Sequence, residues 1–272
     1  MEKYVNQKSE ICTDLNSVPN STPSQNTVAK PAGTSTFPVM RVFRIIVDAA
    51  MYVLFLLLMG YHLFENRHHE ILGAAVFILF FIHNGLNWRW YKNLFKGKYT
   101  LSRSLQTACN LLLCVTMLCT IAAALMLSRD VFYFLNFTNS GLGRKLHMVA
   151  TVWTFLLESL HLGFHWEAIQ KSVTKKITLP ATLAIVTKWF FRAVLLAVCL
   201  YGLFAFRSRN LCNEMFLLTE FKFMDFEEPP LYFFADHTAI SFLAAAAGFY
   251  LKKTAVSAGK GKSNRNKTTG RK

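Results

Sequence analysis

Six apolar stretches, each about twenty residues long, restrict the fold of this chain more than any other feature. A helix needs about 20 mostly apolar residues to cross a bilayer, and lipid forces its backbone hydrogen bonds to be made within the segment. Of 272 residues, 53% are hydrophobic and only 17% charged. The sequence therefore predicts an all-α integral membrane bundle of six transmembrane helices with short connections. The predicted spans are residues 43–64, 70–91, 105–128, 145–166, 185–206 and 231–251.

Two polar segments flank this six-helix domain, which we place at residues 41–252. Residues 1–40 are rich in Ser, Thr, Asn and Pro, so we expect a disordered polar tail. Residues 253–272 are strongly basic, and a basic tail after a membrane helix is typical of contact with anionic lipid. Nucleic-acid binding is the other interpretation of such a tail, and the membrane context disfavours it.

The distribution of Lys and Arg predicts the orientation. The two terminal segments and the connections after the second and fourth spans hold 23 of these residues, and the other three connections hold seven. Because basic residues collect on the cytoplasmic side, both termini are expected in the cytoplasm. The acidic loop at 207–230 then lies outside, and the second and fourth spans run parallel to each other.

Those two spans share an internal repeat that carries four histidines. The second reads HEILGAAVFILFFIHNGLNW from His69, and the fourth reads HMVATVWTFLLESLHLGFHW from His147. In each, a second histidine (His83 or His161) follows fourteen residues later. Fourteen helical residues turn through about 1400° and rise about 21 Å. Each pair of histidines therefore shares one helix face and lies near opposite membrane surfaces.

Parallel helices with such faces bring His69 opposite His147 and His83 opposite His161. Each pair can bind one haem iron between two imidazoles, which leaves no open coordination position and favours electron transfer. The alternative is that the histidines only pack and form hydrogen bonds. Zinc fits less well, since it needs three or four ligands around one ion. His68 is the direct rival of His69 as a ligand.

Further polar residues extend this hypothesis. A haem also carries propionates, for which the sequence offers five contacts. Gly73, Gly85 and Gly163 have no side chain and so leave the room that a flat macrocycle needs, although glycine also serves helix packing. His62 and His237 are expected to be solvated near the outer surface. The candidate propionate contacts are His165, Asn87, Arg144, Lys145 and Arg192.

Charged residues inside the predicted spans are costly, and they are usually paired or functional. Glu158 and Asp48 fall in the cytoplasmic half, so either is a candidate proton acceptor at a quinone site. The alternative for Glu158 is a structural ion pair with Arg192.

The phrases HEILG…IHNGLNW and LHMVA…LHLGFHW resemble the flavinylation-associated cytochrome family, and the histidine spacing resembles the cytochrome b family in general. The resemblance covers roughly residues 43 to 166. It implies two b-type haems, a place in the bacterial cytoplasmic membrane, and electron transfer between a donor such as quinol and a flavin-bearing extracytoplasmic protein. It also implies an electron-transfer protein or oxidoreductase subunit rather than a stand-alone enzyme.

Two other functions stay open at this point. One is the cytochrome b anchor of a multisubunit hydrogenase or dehydrogenase, with electrons running inward to quinone. The other is a haem-free multi-pass transporter or scaffold, in which the histidines pack or relay protons. A reduced-minus-oxidised absorbance spectrum distinguishes the transporter from both cytochromes.

Overall fold

The computed structural model describes residues 36–137, 140–174, 181–219 and 225–269, and in these ranges it is helical without strands. The predicted tail at 1–40 therefore lies almost wholly outside the described residues. Six helices are long, and α3 and α7 are single short turns beside them. The helices are α1 (Thr36–Leu58), α2 (Asn66–Leu86), α3 (Trp88–Lys92), α4 (Leu101–Leu127), α5 (Ser140–Thr174), α6 (Ala181–Ser208), α7 (Leu211–Met215) and α8 (Pro230–Thr269).

Four of these helices are long and apolar enough to cross a membrane, namely α2, α4, α6 and α8. The prediction of an all-helical membrane protein is confirmed to that extent. α1 falls short because every 18-residue window of it contains Arg41, Arg44 and Asp48. α5 also falls short, because polar side chains, several of them buried, interrupt its apolar sequence. The fifth and sixth crossings therefore stay a prediction.

α5, α8 and α6 pack so closely that their backbones touch. A Cβ added to Gly163 of α5 would lie 2.0 Å from the Ala245 carbonyl oxygen of α8. One added to Gly248 would lie 2.3 Å from the Leu160 oxygen, and one added to Gly202 of α6 would lie 2.4 Å from an α8 carbonyl. Small residues permit such close approach in membrane helices. α4 completes this layer by packing along α5.

α1 and α2 form a hairpin that is joined to the layer more loosely. α2 packs mainly on α1 and touches α4 only slightly. Between the hairpin and the layer lies an apolar core that includes Phe55, Phe80, Met117 and Phe155. Because α2 packs on α1 rather than directly along α5, space remains between α2 and α5, the two helices that carry the repeated histidines.

Glu70 holds the start of α2 against the connection that follows α4. Its carboxylate accepts hydrogen bonds from Ser128 Oγ (2.7 Å) and from the backbone N–H groups of residues 129, 130 and 131 (2.8, 3.0 and 2.8 Å). Asn66 Nδ2 donates a further bond to the same carboxylate at 2.8 Å. This set of bonds fixes the backbone on which His69 stands.

Arg209 joins α6 to α8 at the same end of the bundle, called here the His69 end. Its guanidinium forms a bidentate pair with Glu228 and donates from Nε to Asp236 Oδ2 at 2.8 Å. The hydrogen bonds to Glu228 raise the pKa of Arg209 above its ordinary value. Glu214 is buried as well, with 6% of its surface exposed. The acidic 207–230 loop thus offers less free negative charge than its composition indicates.

α8 continues through the basic segment that the sequence analysis treats as a tail, and it ends at Thr269. No proline follows Pro230 in the chain, and Ala and Lys favour the helical conformation. The opposite end of the bundle, where α2 ends and α4 begins, is called here the His83 end.

Candidate functional site

His69 of α2 and His147 of α5 lie side by side at the His69 end. Their ring centres are 6.4 Å apart and the ring planes are inclined at 72°. Two imidazoles on opposite sides of one metal ion have ring centres about 6 Å apart, given bonds of about 2 Å and about 1 Å from each nitrogen to its ring centre. The spacing therefore fits a single metal held between the two rings.

The surroundings of this pair leave imidazole nitrogens unsatisfied. The Nδ1 atoms of His69 and His147 are both buried, and neither has a hydrogen-bond partner among the described residues. Thr151, one turn away, donates its hydroxyl to the His147 carbonyl oxygen (2.7 Å) rather than to a ring. A buried polar atom without a partner costs on the order of 1–3 kcal/mol. A bound group that engages these Nδ1 atoms would offset that cost.

The structure distinguishes His69 from its rival His68. The His68 side chain is 64% exposed and lies 3.7 Å from Glu65, whose side chain is 82% exposed. His69 instead packs edge-on against Tyr61, with ring centres 5.0 Å apart. Only His69 is placed to share a ligand with α5.

At the His83 end, each histidine has a side-chain partner at Nδ1. His83 Nδ1 lies 2.7 Å from Asp48 Oδ1, and His161 Nδ1 lies 2.8 Å from Asn110 Oδ1. Since both acceptors are oxygens, each Nδ1 is placed to donate, which leaves Nε2 as the nitrogen that could bind a metal. Metal-binding histidines are commonly oriented in this way. Sequence reasoning named Asp48 for a different role, and it missed Asn110, which lies on α4.

A cavity of about 180 Å³ lies between α1, α2, α4 and α5 at this end. His83 and Asn87 line it from α2 and its C-terminus, and His165 and Glu158 line it from α5. His161 lies beside it, with its ring centre 4.7 Å from that of His165. Among the described residues no ring contact between His83 and His161 is found, unlike the pair at the other end.

The glycines give a second test of fit to a flat macrocycle. A Cβ added to Gly73 or Gly85 of α2 would meet no atom within 4 Å, so both leave open space beside the helix. Gly163 does not, because it packs against α8. Gly73 and Gly85 on α2 thus leave the room that a macrocycle would need, while Gly163 on α5 serves helix packing.

Glu158 makes no hydrogen bond or ion pair with any described residue, although it lines the cavity. Arg192, its predicted partner, lies exposed on α6 with its guanidinium 5.2 Å from the Trp189 ring centre. Because α6 packs on α8, Arg192 lies away from this cavity. The ion-pair interpretation of Glu158 is therefore wrong, and a carboxyl group faces the cavity without a countercharge.

The remaining predicted contacts divide between the two ends. His165 Nε2 accepts a hydrogen bond from the Gln106 amide at 3.0 Å. Asn87 donates to the His83 carbonyl oxygen at 2.9 Å and lies 3.4 Å from His83 Nε2. Arg144 is exposed and Lys145 is half-buried, both within one turn of the outer histidine of α5.

His237 is not solvated, contrary to expectation. It is fully buried in α8, its Nδ1 donates to the Phe233 carbonyl oxygen at 2.9 Å, and its ring stacks on Phe233 at 4.0 Å. A lone histidine followed by apolar residues gives no signal that separates a buried side chain from an interfacial one.

Within the part of the chain that the structure describes, no group of three or more His, Cys, Asp or Glu side chains is arranged to hold a metal ion unaided. A haem iron needs only two protein ligands, because the macrocycle supplies the others. No protein family, curated protein or solved structure shows significant similarity to this chain.

Proposed function

We propose that this chain is a six-span, cytochrome b-like membrane protein that binds two b-type haems and carries electrons across the bacterial cytoplasmic membrane. The observation that carries the proposal is the 6.4 Å separation of the His69 and His147 ring centres. It is supported by the matched pair of histidines fourteen residues further along both helices. A bound haem supplies reversible storage of one electron at each end.

The chain's own residues have distinct tasks in this proposal. His69 and His147 bind at one end, and His83 and His161 bind at the other. Asp48 and Asn110 orient the second pair through Nδ1, which makes each ring a better donor. Val76 and Phe80 of α2 and Val152 and Phe155 of α5 belong to the apolar core, and along these helices they lie between the two sites.

The predicted orientation assigns each end of the bundle to one side of the membrane, and we propose that electrons run outward. The His83 end lies on the cytoplasmic side and receives electrons from quinol, and the His69 end delivers them to an extracytoplasmic, flavin-bearing redox protein. Quinol oxidation releases protons, which need an acceptor. Glu158 is such an acceptor, because it lines the cavity and has no countercharge. Asp48 is already hydrogen-bonded to His83, so it serves less well.

A reduced-minus-oxidised spectrum of the purified protein tests the haem proposal. We expect sharp bands of six-coordinate b-type haem and two haems per chain. His69→Ala should lose one of the two, and the matched control His68→Ala should keep both, since His68 is exposed. A haem-free spectrum from protein produced with ample haem supply would refute the proposal in favour of a transporter or scaffold.

Glu158→Gln tests the proton acceptor separately. We expect a loss of tenfold or more in the rate of quinol-driven haem reduction, while dithionite still reduces both haems, because proton acceptance by a placed carboxylate contributes about 10²-fold or more. The matched control is Glu167→Gln, on the same helix but exposed. An unchanged quinol rate in Glu158→Gln would exclude this role.

A further inference from the structure

A second, basic cleft opens at the His83 end, in the connection between α2 and α4. Its volume is about 530 Å³, and its lining combines cationic side chains with polar and apolar ones. No carboxylate belongs to that lining. The charged and polar residues of the lining are Arg89, Lys96, Arg103, Asn93, Gln106 and Thr107.

Arg103 organises the cleft rather than binding in it. Its guanidinium donates to the carbonyl oxygens of Asn93 (2.8 Å) and Lys98 (3.4 Å) and lies 4.3 Å from the Tyr99 ring centre. The connection turns at Gly97, whose φ of +81° only glycine adopts readily. The loop is thereby folded around a fixed positive charge.

Arg89 and Lys96 are the available cations. Both line the cleft, and neither side chain makes a hydrogen bond or ion pair with another described residue. An arginine fork and a lysine ammonium on either side of a cleft match the oxygens of a phosphate group, which accept charge-assisted hydrogen bonds.

The position of the cleft indicates where its ligand comes from. α2 and α4 are both apolar enough to cross a membrane, so the connection between them lies at a membrane surface. Aromatic side chains surround it and are exposed: Trp88 at 57%, Phe95 at 91% and Tyr99 at 46%. Exposed aromatic rings of this kind are typical of the headgroup layer of a bilayer.

We propose that this cleft binds the phosphate of an anionic phospholipid, with Arg89 and Lys96 holding the phosphate and Phe95 and Trp88 lying along the acyl chains. The cleft shares Trp90 and Gln106 with the cavity beside His83, so a bound headgroup lies at the mouth of that cavity. This proposal does not depend on haem, because it needs only the membrane and the two cations.

Titration of the purified protein with phosphatidylglycerol, followed by native mass spectrometry, tests the proposal. We expect phosphatidylglycerol to bind at least tenfold more tightly than phosphatidylcholine. The double variant Arg89→Gln/Lys96→Gln should lose about tenfold in that affinity, since each cation near an anionic surface contributes several-fold. The matched control is Lys92→Gln/Lys98→Gln, which removes two exposed charges of the same connection outside the cleft.

Three outcomes would overturn it. An equal loss in the control variant means that the surface charge attracts lipid without a site. Displacement of the lipid by millimolar inorganic phosphate means a site for free phosphate. A fall in haem content in the cleft variant, with lipid affinity unchanged, means that the cations hold a haem propionate. Thermal unfolding of each variant, compared with the unsubstituted chain, confirms that the variants are folded.

Discussion

The two ends of the bundle treat the same histidine repeat in different ways. At the His69 end the two rings are in contact, and neither Nδ1 atom has a hydrogen-bond partner among the described residues. At the His83 end no direct ring contact is found in the described part of the chain, but Asp48 accepts a hydrogen bond from His83 and Asn110 accepts one from His161. At the His69 end, side-chain hydrogen bonds hold the backbone that carries the histidines. At the His83 end, they reach the imidazole rings directly.

This difference separates two tasks that the proposed cytochrome would have to perform. Glu70 and Arg209 hold helices and connections in place at the His69 end without touching the rings, so they should govern stability. Asp48 touches a ring directly, so it should govern the electronic character of the ligand. Changes at the two ends are therefore expected to appear in different measurements.

The largest effect is expected from the ligands themselves. His147→Ala should lower the haem-to-protein ratio from two to one and leave the haem at the His83 end. His161→Ala should lower the ratio in the same way and leave the haem at the His69 end. The double variant should contain no haem, because each end retains only one imidazole. Pyridine haemochrome assay of the purified variants measures the ratio. If His147→Ala loses both haems, the two ends are not independent and the comparison fails.

Arg209→Leu should produce the largest loss of stability among the residues that do not touch the rings. It deprives the carboxylates of Glu228 and Asp236 of the guanidinium, and breaking such a partly buried pair costs about 3 kcal/mol. The melting temperature in detergent measures this, with the exposed Arg207→Leu as control. A normal melting temperature would show that the network contributes little, and an altered haem spectrum would show that it reaches the rings.

The pKa of Arg209 also predicts how this network responds to pH. Because hydrogen bonding to Glu228 raises that pKa above its ordinary value, the stability that it contributes is present below the ordinary arginine pKa. That contribution is lost only as the pH rises through the still higher pKa of the folded state. The difference in melting temperature between Arg209→Leu and the unsubstituted chain should therefore stay constant between about pH 7 and pH 10.

Glu70→Gln should cost about 2 kcal/mol, since an amide keeps one acceptor oxygen and loses the charge that strengthens the bonds to residues 128–131. Glu65→Gln is the matched control, because that carboxylate is exposed and lies near His68 alone. Thermal unfolding again measures the effect. Equal melting temperatures for the two variants would mean that this connection is not held through Glu70.

Asp48→Asn should have the smallest effect, and it should be confined to one haem. A neutral acceptor at His83 Nδ1 makes the ring a weaker donor, so the reduction potential at that end should rise. A change of about 1 kcal/mol corresponds to about 40 mV for one electron. Potentiometric titration of both haems measures it. A shift of the other haem instead would reverse the assignment of the two ends.

The sequence predicted the helices because apolar periodicity and length are local properties. It misplaced their ends for equally local reasons. The second span was extended to residue 91, but the helix ends at Leu86 and the chain turns at Asn87, an asparagine that tolerates non-helical backbone. The fourth span was limited to its apolar run, whereas α5 continues with polar residues to Thr174.

The candidate site was predictable only where the helix period alone decides it. The repeat puts His69 and His147 at matching positions of two parallel spans, and in the structure they lie side by side. Spacing does not report which neighbouring helix supplies a partner, so Asn110 went unnoticed and Arg192 was paired with Glu158. Those relationships depend on how α4 and α6 pack, which a single sequence does not encode in any local pattern.

The loose attachment of α2 bears on how the protein is made. α1 and α2 leave the ribosome before α8, yet the layer onto which they close needs α8. A prosthetic group clamped between α2 and α5 would latch the early hairpin onto the late helices. Completion of the bundle would then wait on cofactor supply, and a chain left without it would present an open seam to the proteases that survey new membrane proteins.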